Sequence, residues 1–241
     1  MYKYLLFDLD GTLTDSQEGI TKSVSYALIN LGLEDIPYEK KLKFIGPPLT
    51  ESFPNVCGFD EETTKKAIKL YRERYSTVGK FENSPYEGIP ELLKELKEDG
   101  RVLLIASSKP TEFVEDILKK FKMREYFDYI CAAELSGKKS EKEDVIKEAL
   151  DILNMDYQLS EEKAKRFESD SKVSKDEPKK NLKEAVMIGD RHYDILGAAY
   201  FGLDSIGVNY GFAQDKEELK NAGATHVVET VSDLRKLLLG V

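Results

Sequence analysis

The sequence predicts an α/β fold: a doubly wound, mainly parallel sheet carrying a small inserted all-helical unit. Three observations predict it. Short apolar runs of strand length alternate with helical patterns, two of those runs end in aspartate and glycine, and between Thr14 and Tyr86 the strand signals give way to helical ones. Strands that alternate with helices build a parallel sheet covered on both faces. With 241 residues the chain can bury one sizeable core and a smaller second lobe.

Taken in order, the first strand is read over residues 4–8, an apolar run that leads into Asp8-Leu9-Asp10-Gly11-Thr12. In the insertion, Ile20, Val24, Ala27, Leu28 and Leu31 recur at helical spacing, as do Ala67, Ile68, Tyr71 and Tyr75. Ile45-Gly46-Pro47-Pro48-Leu49 interrupts it as a rigid, helix-breaking loop, and Phe44 and Phe53 beside it read as core residues. Asp15-Ser16 and Asn83-Ser84-Pro85 read as hinges, which sets the boundaries: residues 1–14 and 87–241 for the α/β unit, 15–86 for the helical one. The remaining strands are expected at residues 102–106, 129–133, 185–188, 205–208 and, briefly, 226–228. Residues 154–184 are rich in Glu, Lys, Asp and Ser and are expected to form a charged, mobile excursion, since such a stretch buries too little apolar surface to offset its ordering entropy.

Asp8 and Asp10 lie two apart and so face the same side of the chain as it leaves the sheet. Two carboxylates this close repel unless a cation sits between them, and a hard divalent ion such as Mg²⁺ is the natural one. A carboxylate held that way keeps an oxygen free to act as a nucleophile, and its neighbour can move a proton. The run Val186-Met187-Ile188-Gly189-Asp190 repeats the arrangement, which places Asp190 to complete a metal site with Asp8. Asp194 follows where a helical pattern begins, so it either caps that helix or holds a metal-bound water.

These motifs resemble those of the haloacid dehalogenase superfamily of aspartate-nucleophile phosphatases, in the branch of phosphoglycolate-phosphatase-like and nucleotidase-like enzymes. The resemblance covers nearly the whole chain. It implies that Asp8 is the nucleophile and Asp10 the acid/base. Ser107, at the end of Leu103-Leu104-Ile105-Ala106-Ser107, and Lys142, three residues before Val145-Ile146, would bind the phosphate. Gly11 and Thr12 would supply turn geometry and backbone amides around it. Mg²⁺ would be held by Asp8, the Asp10 backbone carbonyl and Asp190. The insertion would be the family's small helical cap, its Pro-Pro loop facing the site, and the first strand would be central, flanked by those ending at Ser107 and Asp190. The physical logic agrees, because phosphoryl transfer is mostly positioning and charge neutralisation, and a hydroxyl with an ammonium can supply both. Lys109, Arg191 and His192 adjoin these motifs and are read as surface residues.

The expected function is therefore a Mg²⁺-dependent phosphatase of small phosphate monoesters, phosphoglycolate-phosphatase-like. A 5'-nucleotidase or a phosphomutase is the alternative within the chemistry, and a non-catalytic interaction protein the alternative outside it. A formal charge of -9 argues against a nucleic acid polymer as partner. No apolar run approaches the roughly 20 residues that span a bilayer. Two cysteines, Cys57 and Cys131, suit a reducing compartment, and no leader pattern precedes the first strand, so a cytoplasmic monomer or weak homodimer is expected.

Overall fold

The computed structural model describes residues 1–167 and 178–240. Its elements run β1 (Tyr4–Phe7), β2 (Thr14–Asp15), α1 (Gln17–Asn30), α2 (Tyr38–Leu42), α3 (Leu49–Cys57), α4 (Glu61–Tyr75), β3 (Ser84–Pro85), α5 (Ile89–Glu98), β4 (Val102–Pro110) and α6 (Thr111–Lys120). There follow β5 (Tyr129–Ala133), α7 (Lys142–Ile152), β6 (Met155–Asp156), α8 (Glu161–Lys165), β7 (Lys180–Asn181), β8 (Ala185–Gly189), α9 (His192–Tyr200), β9 (Asp204–Val208), α10 (Glu218–Asn221), β10 (His226–Val228) and α11 (Val231–Leu239).

Six strands form one parallel sheet in the order β10-β9-β8-β1-β4-β5. The two-residue period of β1 explains why it is central: Leu5 and Phe7 enter one apolar cluster with α5, α6 and α11, while Tyr4 and Leu6 enter a second with α7 and α9. A strand buried on both faces has no polar side to show to water. On either side of β1 the register aligns Phe7 with Ile105 of β4 and with Ile188 of β8, so all three strands end at the same height. The order reverses at β1, and crevices in such sheets open there, beyond the carboxyl ends of the strands.

Helices α1 to α4 share their own core, built from Ile20, Val24, Ala27, Leu28, Phe44, Ile45, Phe53, Ala67, Tyr71 and Tyr75. The chain enters and leaves this helical unit through β2 and β3, which pair antiparallel, Asp15 opposite Ser84. Both expected hinge segments are thus bound to each other. Phe113 of α6 completes the helical core, so the two units share apolar contact as well. Among the described residues no helix is long and apolar enough to cross a membrane.

In the charged stretch 154–184, expected as a mobile, in part helical excursion, the described flanks are packed. Residues 168–177 lie outside the described residues, but both flanks are built into the molecule. Strands β6 and β7 pair, Ser160 caps α8, and Arg166 reaches Asp144 at 3.0 Å. Phe167 is buried against the β-sheet face that α7 and α9 cover, with Tyr157, Leu159 and Leu182 packed around the same cluster. Counting charges hid these few, widely spaced apolar residues. Phe167→Ala should therefore cost about 3 kcal/mol of unfolding free energy in urea titration, the usual loss for a buried phenylalanine. A loss within about 0.5 kcal/mol, typical of surface positions, would mean the flank carries no packing.

Candidate active site

The carboxyl ends of β1, β4 and β8 bring the predicted residues together. Asp8 follows β1, Ser107 lies in β4 and Asp190 follows β8, while Lys142 opens α7 and Asp194 lies in the first turn of α9. All five are buried. The Lys142 ammonium sits 3.0 Å from Asp8 Oδ1 and 2.7 Å from Asp194 Oδ1, and it donates to the Ala106 carbonyl at 3.1 Å. Neither Lys138 nor Lys139 is buried in this way.

Asp8, Asp190 and Asp194 each offer a carboxylate oxygen within 4.8 Å of the others. Three carboxylates against the one ammonium of Lys142 leave two negative charges. Burial, and then the charges of Asp194 and Asp8, push the Asp190 carboxyl well above its usual range. Burial likewise raises Asp194, to about 6, even against the lowering pull of Lys142. Lys142 is the converse: burial alone would lower it, but its ion pairs with Asp194 and Asp8 win and hold it charged. An all-oxygen donor set with uncompensated charge fits a hard divalent cation.

Close packing sets these groups. Gly11 has φ of +84°, and a Cβ there would lie 2.1 Å from Asp190 Oδ2. At Gly189 a Cβ would lie 2.1 Å from Asp194 Cγ, so any side chain would displace that carboxylate. Asp190 accepts from the Thr12 hydroxyl at 3.3 Å and from the Phe212 N–H at 2.7 Å. Asp194 reaches back to accept the Arg191 N–H at 3.1 Å, so it caps α9 and joins the cluster at once.

Three expectations need correction. The amides of Gly11 and Thr12 are engaged within the turn, bonding Thr14 O at 2.8 Å and Leu9 O at 3.3 Å, so the part of Thr12 that reaches the site is its hydroxyl. Lys109 is not a surface residue: it is buried, its ammonium lies over the Tyr75 ring, and it pairs with Asp10 Oδ2. Arg191 is only 3% exposed. His192 is partly exposed, with Nδ1 2.6 Å from Glu218 Oε1. The carboxylate of Asp10 therefore faces Lys109 and stands outside the group that Asp8, Asp190 and Asp194 form. Its Oδ1 is buried without a hydrogen-bond partner among the described residues. A lysine two residues after Ser107 was the available signal for Lys109; no local pattern marks Glu218, which lies 27 residues after Arg191.

A cavity opens from Asp8, Asp10 and Ser107 toward the helical unit. Its far wall is Phe44, Tyr71, Tyr75 and the Gly46-Pro47-Pro48-Leu49 loop, with Arg72 on the rim. Arg72 bridges the two units on one side, donating to Leu135 O at 2.7 Å. On the other side Glu218 holds Arg191. Burial would raise Glu218, but the N–H groups of Gln214 and His192 outweigh it and hold the carboxyl down at about 2. Because the folded value lies below the ordinary 4.5, the stabilisation is full above about pH 4.5 and is lost as the pH falls toward 2. Glu218→Gln should thus lower unfolding free energy at pH 6 by roughly 1–3 kcal/mol. It should also flatten the pH dependence between 4.5 and 2; parallel wild-type and variant urea curves across that range would refute this.

Comparison with known proteins adds the following. Residues 5–161 match the family described as haloacid dehalogenase-like hydrolase, and residues 159–234 match a second one described as HAD-hydrolase-like. A 5'-nucleotidase of Pseudomonas aeruginosa is 39% identical, over 98% of this chain and 96% of its own. The tyrosine-protein kinase PtkA of Mycobacterium tuberculosis is 33% identical, over 97% of this chain and 72% of its own. The crystal structure of a predicted phosphatase from Clostridium acetobutylicum superposes with a TM-score of 0.84 at 46% identity, covering 100% of both chains.

Proposed function

The chain belongs to the haloacid dehalogenase-like hydrolases and is a phosphatase, and on that premise we propose that it is Mg²⁺-dependent and hydrolyses small phosphate monoesters through an aspartyl-phosphate on Asp8. The observation that carries the reading is the Lys142 ammonium, which joins Asp8 to Asp194 beside Asp190 in a buried cluster whose Asp8 lines the cavity.

Asp8 attacks phosphorus in line with the ester oxygen; the new bond to Asp8 forms as the ester P–O bond breaks. Lys142 neutralises charge on the phosphoryl group, and the Ser107 hydroxyl binds its oxygens. Asp10 gives a proton to the departing alkoxide, then takes one from the water that cleaves the aspartyl-phosphate. Lys109 holds Asp10 by one oxygen and leaves the other for these transfers. Asp8, Asp190 and the Asp10 carbonyl would hold Mg²⁺, which supplies charge neutralisation at the phosphoryl oxygens, and Asp194 would steady a bound water or the Lys142 ammonium. The helical unit of residues 15–86 acts as the cap that excludes bulk water.

Of the two substrate classes left open, the cavity favours nucleoside monophosphates over a small carboxylate-bearing phosphate ester such as phosphoglycolate. Phe44, Tyr71, Tyr75 and Phe113 line it, and an aromatic wall suits a base. A small carboxylate would need a cation, and of those lining the cavity Lys109 is paired with Asp10, which leaves Arg72 with its remaining donors. The resemblance to a 5'-nucleotidase supports the same choice.

A panel of nucleoside monophosphates, phosphoglycolate and nitrophenyl phosphate, assayed with and without Mg²⁺, tests the reading. Asp8→Asn should reduce turnover on the order of a thousandfold or more while the fold persists. Asp10→Asn should slow alkyl esters by roughly a hundred- to ten-thousandfold but nitrophenyl phosphate much less in the first step, because that leaving group needs little protonation. Substantial turnover by the Asp8 variant, or equal losses on both kinds of ester in the Asp10 variant, would overturn the assignment.

A further inference from the structure

Arg191 makes three directed contacts from one nearly dehydrated position. Its backbone N–H donates to Asp194, its Nε lies 3.0 Å from Glu218 Oε1, and its Nη1 donates 2.8 Å to the carbonyl of Ile45 in the helical unit. It also follows Asp190 directly in sequence. The Ile45 carbonyl is available for a local reason. Ile45 ends the turn after α2; in a continuing α-helix its carbonyl would accept the Leu49 N–H, but Gly46-Pro47-Pro48 breaks the chain path first, and Pro48, one residue nearer, has no N–H. That break leaves the carbonyl to Arg191. Gly46, at φ of +105°, takes the left-handed turn that brings this loop against the Arg191 stem.

We propose that Arg191 is a positioning residue that ties closure of the helical unit over the cavity to the turn presenting Asp190 and Asp194. When the unit lifts, the guanidinium loses Ile45 O and one of its buried donors must be hydrated, so the closed arrangement is favoured by a charge-assisted hydrogen bond. Glu218 makes the bond specific. It fixes Nε, so Nη1 is aimed at Ile45 before closure, and the fork geometry needed for two acceptors is one that lysine lacks. The cavity wall Gly46-Pro47-Pro48-Leu49 follows Ile45 directly, so the same contact sets where that wall stands relative to Asp8. Arg191 touches none of the reacting atoms and acts through the position of the loop and of the aspartate turn.

The kinetic half of the test rests on the phosphatase reading, and the structural half does not. Hydrogen exchange of the full chain is compared for wild type, Arg191→Ala, Arg191→Lys and Glu218→Gln, alongside steady-state kinetics on nitrophenyl phosphate. Exchange over residues 44–52 should rise in all three variants, most in Arg191→Ala, while residues 102–106 of β4 stay protected. KM should rise roughly ten- to hundredfold in Arg191→Ala, with a smaller change in kcat, because substrate binding must now close an unlatched unit. Arg191→Lys and Glu218→Gln should fall between; if the alanine variant does not fold, they carry the same criteria. Unchanged exchange over residues 44–52, or a fall in kcat at constant KM, would overturn the proposal. Should the wild type hydrolyse no phosphate ester, the exchange comparison alone decides it and only the phosphatase reading falls.

Discussion

Three buried carboxylates share one ammonium, and most of the site's design follows from that imbalance. Lys142 satisfies Asp8 and Asp194 by direct ion pairs, but among the described residues Asp190 accepts hydrogen bonds from a hydroxyl and a backbone N–H and has no ion pair. Removing ionised groups from water costs several kcal/mol each unless they are compensated. The fold accepts this cost where the sheet can enforce it. Asp8 and Asp190 leave adjacent strands whose registers match, and Gly11 and Gly189 leave space that only a missing side chain provides. A cation between the carboxylates relieves the repulsion, and phosphoryl transfer needs a cation in the same place.

The helical unit depends on the same centre. Its core is separate, yet it reaches the site through Tyr75 over Lys109, Arg72 to Leu135 O, and Ile45 O to Arg191. Each of these contacts pairs a cation with a ring or a carbonyl, an arrangement strong enough to close a cavity and weak enough to release it. The paired strands β2 and β3 tie the unit to the sheet domain where the chain enters and leaves it. Aromatic side chains line the same cavity as Asp8 and Asp10.

The sheet was legible because its strands are short apolar runs, three of which lead into aspartate, serine or glycine, and β4 differs mainly by continuing from residue 106 to Pro110. The residues of the site were legible where chemistry forces a local pattern: two aspartates two apart, a glycine before an aspartate, a serine ending an apolar run. Lys109 and Arg191 were not legible as buried groups, nor Glu218 as the half-buried partner of Arg191, since charge predicts exposure unless the partner is known. Their partners lie 99, 146 and 27 residues away in sequence. Phe167 was missed for a related reason, because one aromatic in a run of charges does not move the average. The Thr12 amide bonds within the turn while its hydroxyl reaches Asp190, as amide geometry in a turn depends on how the turn closes on itself.

The charge imbalance is tested most directly by titrating the protein with Mg²⁺ in a calorimeter, wild type beside Asp190→Asn and a surface control such as Glu98→Gln. The account predicts a single saturable site in the wild type and the control, with affinity falling roughly tenfold or more in Asp190→Asn, the loss of one charged ligand. Equal Mg²⁺ affinity in all three proteins, or none in the wild type, would contradict the claim that the buried carboxylates exist to hold a divalent cation beside Asp8.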